Sequence, residues 1–534
     1  MESRISARGK QRAPSPTLAV SAPLRSIRGF CLKARVYLYL ALLTAGAFLV
    51  HGYHPYAEDS EFYISAVKKL LNPSLYPLGS QIFERQASLT AFPWLIAETV
   101  RVLHLPLDTV LLAGQLLCYF LFLLACWKLS CLCFESQPAR WCAVALVAAL
   151  LTIPVAGTAL FLMDQYLNPR SISSFAVLFA VAAALEKRYR LVVLWLIVAG
   201  LVHPLMMLFG AAFLFLLFRP RAVGEPSGVV AAALLGLGYT FRVPTMEYDQ
   251  AALRHAYYFV THWSWYEWLG IIGPVALLLW FGRIARARRM SNVARLCPAL
   301  ISFVLLGLLG ALLLDVPHRL EILARVQPMR SLHLVYVLLL LFAGGLAGEF
   351  VLKRSVARWL LLFIPLCAGM TYVQFRLFPV SAHIEWPGST PRNPWVQAFV
   401  WIRQNTPQDA YFALDPEYVE RSGEEVQTFL PLAERSALPD EVKDSGSVTL
   451  FPELAQSWWR QVSALRGWKH FQLSDFQSVE RQFGVRWVVV QQPGVDGLEC
   501  PYENAVVQVC RVPQAEGSAA EGASAGAEGE SASN

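Results

Sequence analysis

Charge is scarce in this sequence. Asp, Glu, Lys and Arg make up 16% of its 534 residues while 56% are hydrophobic, and a soluble protein of this size could not hide so much apolar surface in its cores. The chain also lacks a nucleotide-binding glycine signature, an internal repeat of useful period, and paired acids inside its apolar runs. The last two absences weigh against a transporter built from related halves. No clear small-residue cleavage site follows the first apolar run, and a polar, basic stretch of 35 residues precedes it, so that run reads as a retained signal anchor.

What the chain does have is apolar runs long enough to cross a bilayer as helices, roughly 17–25 residues. They fall near 36–53, 107–133, 141–162, 171–186, 226–243, 268–282, 294–314, 331–351 and 357–378. Residues 191–218 are too long for one ordinary crossing, and His203-Pro204 interrupts them, which predicts two short helices, 191–203 and 205–218, meeting near the far face. The expected fold is an α-helical polytopic membrane protein with about 11 transmembrane helices. Residues 91–104 ("AFPWLIAETVRVLH") read instead as an interfacial amphipathic helix, because Glu98 and Arg101 would be costly at mid-membrane.

Basic residues set the expected orientation. Segments 1–35, 128–140, 187–190, 219–221, 283–295 and 353–358 carry 23 Lys and Arg, against 8 in loops 54–90, 163–170, 244–267 and 315–330. The N-terminus is therefore expected in the cytoplasm and residues 380–534 outside. The net charge of +7 reflects this asymmetry and does not argue for nucleic acid. Of ten cysteines, eight lie in or beside spans, whereas Cys500 and Cys510 flank a predicted turn in "CPYENAVVQVC". A disulfide there suits an oxidising compartment, and a zinc site would want more ligands nearby.

Residues 1–35 form a basic cytoplasmic N-terminus, and 513–534 a Gly, Ala, Ser and Glu tail; both compositions read as disordered. Between them lie a transmembrane domain, 36–379, with a substantial first outer loop, 54–90, and an exported C-terminal domain, 380–512. "NPWVQAFVWIRQNTPQDAYFAL" has a helical period up to Arg403, a stop at Asn405-Thr406-Pro407 and then an alternating run. "FGVRWVVVQQP" and "AVVQVCRV" look like further strands, with helical stretches near 452–465 and 475–483. The domain reads as small and α/β.

The densest early acids stand where the chain leaves the first span, in "HPYAEDSEFYISAVKKLLNPSLYP": Glu58, Asp59 and Glu61. Ser60 to Leu71 can form a helix ending before Asn72-Pro73, with Asp59, Tyr63, Ala66, Val67 and Leu70 on one side and Lys68 and Lys69 off it. In the plain structural reading Asp59 is the N-cap and Glu61 favours the helix dipole.

This layout resembles the GT-C superfamily of integral-membrane glycosyltransferases: an N-in first span, an outer loop with a carboxylate pair, an amphipathic helix, about ten more spans and an exported domain. Members related to protein mannosyltransferases and aminoarabinose transferases carry an Asp-Glu pair with a nearby Tyr in that loop. Here the order is reversed, Glu58-Asp59, followed by Ser60-Glu61-Phe62-Tyr63. "LNPRSISSFAVLFAVAAALEKRYR", "LVHPLMMLFGAAFLF" and "WIRQNTPQDAYFAL" are similar to the central region and exported-domain opening of uncharacterised bacterial GT-C-like proteins. The resemblance covers most of residues 36–512. It implies hexosyl or pentosyl transfer from a polyprenyl-phosphate-linked donor to a glycan or lipid acceptor on the periplasmic or extracellular face, in cell-envelope assembly at a bacterial inner membrane. The alternative is a non-catalytic protein of the same fold that binds lipid or glycan or serves as a scaffold.

Inverting transfer from a lipid phosphate needs a base for the acceptor's proton and positive charge for the leaving phosphate. Asp59 is the preferred base, with Glu58 or Glu61 orienting the acceptor or helping to hold a divalent cation as cofactor. For the phosphate, Arg170 after Asn168-Pro169 and Arg330 in "VQPMRSLH" stand at outer span ends; their alternative role is anchoring, or pairing with a carboxylate such as Asp164 or Glu321. Arg254, His255, His262, His318 and Arg319 are weaker candidates. His203 either bonds backbone freed at Pro204 or faces the same cavity. The aromatic stretch 255–268 reads as an interfacial belt rather than a sugar platform.

Overall fold

The computed structural model describes residues 22–218, 244–315, 325–420, 425 and 427–513. Its first helices are α1 (Ala22–His51), α2 (Ser60–Leu71), α3 (Gln81–Ala87), α4 (Phe92–Leu103), α5 (Leu107–Cys133) and α6 (Gln137–Ala149). A hairpin of β1 (Pro154–Val155) and β2 (Leu160–Phe161) follows, then α7 (Pro169–Leu185), α8 (Tyr189–Val202), α9 (Pro204–Phe218), α10 (Met246–Leu253), α11 (Trp265–Ala287), α12 (Ser291–Asp315), α13 (Leu332–Ala347) and α14 (Val356–Leu377). Among the described residues six stretches are long and apolar enough to cross a membrane: Ala34–His51, α5, α11, α12, Pro328–Leu352 and α14. The chain is an integral membrane protein. Helices α7, α8 and α9 are apolar but shorter, and α8 and α9 meet at His203-Pro204 as the proline requires. The expected run 226–243 lies outside the described residues.

The expected span 141–162 is corrected. Its helix stops at Ala149, and Pro154 pairs with Phe161 in the β1–β2 hairpin. A proline within that apolar run removes a helix donor, and Gly157 turns the hairpin at φ +63° under the ring of Trp263. The apolar composition of 150–162 therefore serves a buried hairpin at the end of α6. Helices α5, α6, α7 and α13 share one core containing Phe122, Val147, Val181 and Leu338. Gly344 lets α13 lie against α6, since a Cβ there would come within 2.6 Å of the Cys142 carbonyl oxygen.

The C-terminal region contains α15 (Pro394–Asn405), β3 (Tyr411–Leu414), α16 (Phe429–Ala433), β4 (Ser436–Ala437), α17 (Asp444–Leu450), α18 (Ala455–Ala464), α19 (Leu473–Phe483), β5 (Trp487–Gln491), β6 (Glu499–Glu503) and β7 (Val507–Arg511). The sheet order is β4-β3-β5-β7-β6, with β3 parallel to β4 and β5, and the other pairs antiparallel. In β5, Trp487 and Val489 enter one core with Phe399 and Phe412, while Val488 and Val490 enter another with Trp468 and Phe476. The alternation of side chains thus buries both faces. Cys500 and Cys510 form a disulfide between β6 and β7.

The first loop is fastened to this region by backbone. Tyr53 bridges Ile384, Ala57 bridges Gln427, and Thr428 gives both its N–H and its Oγ1 hydroxyl to the Tyr56 carbonyl, at 3.2 and 2.6 Å. Helix α2 spans the expected residues but is buried more completely than one apolar side predicts: Ile64 and Val67 join the membrane core, while Phe62 and Ala66 pack with Tyr76 and Phe83. Lys68, expected off the buried side, is buried and donates to the Pro431 carbonyl at 2.6 Å and to Glu434 at 2.7 Å.

Candidate functional site

Asp59 stands at the N-cap of α2, yet its side chain makes no capping bond. Its backbone is helical, φ −69° and ψ −4°, rather than in the extended conformation that aims an N-cap side chain at the first N–H groups. The carboxylate turns elsewhere: Oδ2 lies 3.8 Å from Nη1 of Arg170. The backbone N–H of Asp59 donates to the Tyr166 hydroxyl at 3.2 Å, fixing the loop to the segment before α7.

That segment builds the rest of the cluster. Asn168 caps α7, its Oδ1 accepting from the Ser171 N–H at 3.0 Å, and Pro169 opens the helix, which places Arg170 in the first turn. Asp164 Oδ2 accepts from Arg170 Nη2 at 2.7 Å, Arg170 Nε at 3.1 Å and Asn168 Nδ2 at 2.7 Å. Its backbone carbonyl accepts from Gln115 at 2.7 Å and Tyr119 at 3.0 Å. Arg170 is therefore a buried guanidinium held on one edge by Asp164 and facing Asp59 with the other.

Arg330 enters from the first turn of the Pro328–Leu352 span. Its buried Nε has no hydrogen-bond partner, and its guanidinium lies 5.3 Å from the Tyr257 ring centre. It borders a small cavity among α7, α9 and α13, lined also by Ser174, Met206 and His333. Burial raises the Asp59 pKa above the usual carboxylate range; Arg170 opposes the rise, Asp164 adds to it and Arg330 opposes it. Tyr63, one turn along α2 from Asp59, has its phenol pushed up to about 12, by burial first and then by Asp59. His203 Nδ1 accepts from the Met206 N–H at 3.4 Å, so it serves the helix break, within electrostatic reach of Arg170 and Arg330.

The other acids of the loop diverge from this cluster. Glu58 has a left-handed backbone, φ +55°, and pairs with Lys443, whose pKa burial pushes down to about 8. Glu61 is buried against the C-terminal region, with Oε1 accepting from the Leu430 N–H at 3.3 Å and Oε2 without a partner. It lines a cavity of about 30 Å³ with Asp415, Asp440 and Asp444. Burial, then Asp444 and Asp440, push the Glu61 pKa well up.

Of the weaker candidates, Arg254 pairs with Glu417 and Glu441, His255 Nε2 lies 3.1 Å from the Ser445 hydroxyl, and His262 is exposed. His318, Arg319 and Glu321 lie outside the described residues. Sequence reasoning missed Lys443 and Tyr166 as partners of the acid pair and assigned Tyr257 to the aromatic belt. Only the position of Tyr166, between Asp164 and Arg170, offered a local signal. A divalent cation does not fit this cluster. Among the described residues no three His, Cys, Asp or Glu side chains converge into a metal-holding group, and the guanidinium of Arg170 occupies Asp164 Oδ2.

No protein-family model matches the chain, and no curated protein does. Solved structures resemble it at a distance. The oligosaccharyltransferase AglB of Archaeoglobus fulgidus, in complex with an inhibitory peptide and a dolichol-phosphate, is 11% identical with a TM-score of 0.45, covering 86% of this chain and 70% of that one. The apo form of the oligosaccharyltransferase of the same organism gives 13%, 0.42, 86% and 69%. The arabinofuranosyltransferase AftD from Mycobacteria gives 15% and 0.45, covering 90% of this chain and 40% of that one. Likenesses this distant carry no argument about residues or activity.

Proposed function

We propose that this chain is a GT-C-type glycosyltransferase that moves a sugar from a polyprenyl-phosphate-linked donor to a glycan or lipid acceptor at the membrane face bearing the C-terminal region. One observation carries the reading: the Asp59 carboxylate, free of any capping role, stands 3.8 Å from a buried arginine that Asp164 holds in place. An acceptor hydroxyl attacks the anomeric carbon, the bond from that carbon to the phosphate oxygen breaks, and the electron pair leaves with the phosphate. Asp59 takes the hydroxyl proton, and its raised pKa brings it nearer the working pH of a general base. Arg170 and Arg330 offset the charge on the departing phosphate through guanidinium N–H groups. Tyr257 packs against the Arg330 guanidinium, and Tyr63 lies within electrostatic reach of Asp59, Arg170 and Arg330.

In this reading the face lies outside, as the excess of Lys and Arg in the opposite loops supports, and the membrane is a bacterial inner membrane. The test compares membranes containing wild type or Asp59→Asn at equal expression, supplied with the polyprenyl-linked sugar that accumulates when the protein is lost. A fall of roughly 10²–10⁴ in transfer is expected for loss of a general base. Undiminished transfer would remove Asp59 as the base, and no accumulating species would favour the non-catalytic scaffold.

A further inference from the structure

Helices α1, α6 and α14 leave between them a groove of about 590 Å³ whose lining is almost wholly apolar. It touches none of the residues around Asp59. Its floor is made of small residues, Gly46 on α1 and Ala145 and Ala148 on α6, and a Cβ built on Gly46 would meet nothing within 4 Å. From Tyr39 to Val50 the α1 wall is roughly 16 Å long at 1.5 Å per residue. That is about half the hydrocarbon thickness of a bilayer, the depth of one leaflet.

The two ends of the groove differ. Tyr39, Trp141 and Trp359 close the end away from the C-terminal region, with the Tyr39 and Trp141 rings edge to face at 5.5 Å. Such rings favour the headgroup level of a membrane. At that end each helix carries an arginine: Arg35 one turn before Tyr39, Arg140 beside Trp141 and Arg358 beside Trp359. Arg35 and Arg358 are exposed and Arg140 is half-buried. Arg140 gives Nε to the Phe134 carbonyl at 2.8 Å and Arg358 gives Nη1 to the Val351 carbonyl at 2.6 Å. Each guanidinium has five N–H donors, so both keep donors for a phosphate.

We propose that this groove is a binding site for one anionic phospholipid, an acyl chain lying on Gly46 and the α6 alanines and the headgroup phosphate between Arg35, Arg140 and Arg358. The apolar slot selects a hydrocarbon chain, and the three cations select a negative headgroup over a zwitterionic one. The site is separate from the sugar-transfer cluster and does not depend on it.

Native mass spectrometry of the full chain in detergent, titrated with phosphatidylglycerol or phosphatidylcholine, tests the assignment. One tightly held phosphatidylglycerol is expected, preferred by about tenfold or more. Gly46→Trp, whose ring enters open space, abolishes that binding, while Arg35→Ala/Arg140→Ala/Arg358→Ala keeps lipid binding but loses the preference. Gly46→Leu serves as the milder probe of the slot, and the thermal midpoint checks folding of all variants. Equal retention of both lipids by wild type, or undiminished phosphatidylglycerol binding in both Gly46 variants, overturns the proposal.

Discussion

Arg170 and Asp164 form a side-on pair in which Nε and Nη2 both reach the same carboxylate oxygen, at 3.1 and 2.7 Å, so that Nη1 is left pointing at Asp59. Removing one member of a buried pair leaves an uncompensated charge, at a cost of about 3–5 kcal/mol. Asp164→Asn therefore lowers the thermal midpoint. It also lowers the Asp59 pKa, because Asp164 raises it. In the transfer assay the base must be ionised, so the acid limb of the pH profile moves to lower pH in Asp164→Asn. A limb that stays in place, with folding intact, separates Asp59 from the chemistry.

Glu61 makes the junction with the C-terminal region sensitive to pH. It faces Asp440 and Asp444 across a cavity that Asp415 also lines, and the Glu61 and Asp444 pKa values are both pushed well up, by burial first. Folded protein then holds protons that unfolded chain has released. This contribution to stability is fully present below the ordinary carboxylate range, near 4.3, and is lost as pH rises through the raised values. Glu61→Gln raises the thermal midpoint in detergent at pH 8 and raises it less at pH 5. A lower midpoint at pH 8 would sink this account.

The hairpin that ends α6 depends on Gly157. A Cβ there would come within 2.4 Å of the Trp263 ring, at a backbone φ of +63°. Gly157→Val combines overpacking with a strained backbone and is expected to cost about 1–3 kcal/mol. Trp263→Ala in the same background should recover part of the loss, which a double-mutant cycle measures. Additive losses would show that the contact is not the cause.

The Cys500–Cys510 disulfide closes a short loop at the sheet edge. Replacing both cysteines with serine should lower stability by about 2–3 kcal/mol in the chain-entropy account. Maleimide labelling before and after reduction shows whether the bond forms in the cell. Labelling of Cys500 or Cys510 themselves without reductant would count against the disulfide and against the oxidising compartment it suits.

What could be read from the sequence follows the range of the forces involved. Ser60–Leu71 was legible because helical period and Asn72-Pro73 are local signals, and Arg170 because it follows Asn168-Pro169 at a span end. The 150–162 segment was not, since apolar composition alone does not separate a buried hairpin from a helix. Nor was Lys443, which meets Glu58 across a sequence separation of 385. Asp59 looked like a cap because capping preference is a property of residue type; its helical backbone and the buried Arg170 decide otherwise.

The left-handed turn at Glu58 sends two adjacent carboxylates to different halves of the protein, Glu58 to Lys443 in the C-terminal region and Asp59 to Arg170 in the membrane region. One peptide unit thus joins them like a yoke. On one side of it a carboxylate is tied to the C-terminal region, and on the other a carboxylate faces the arginine of the membrane region.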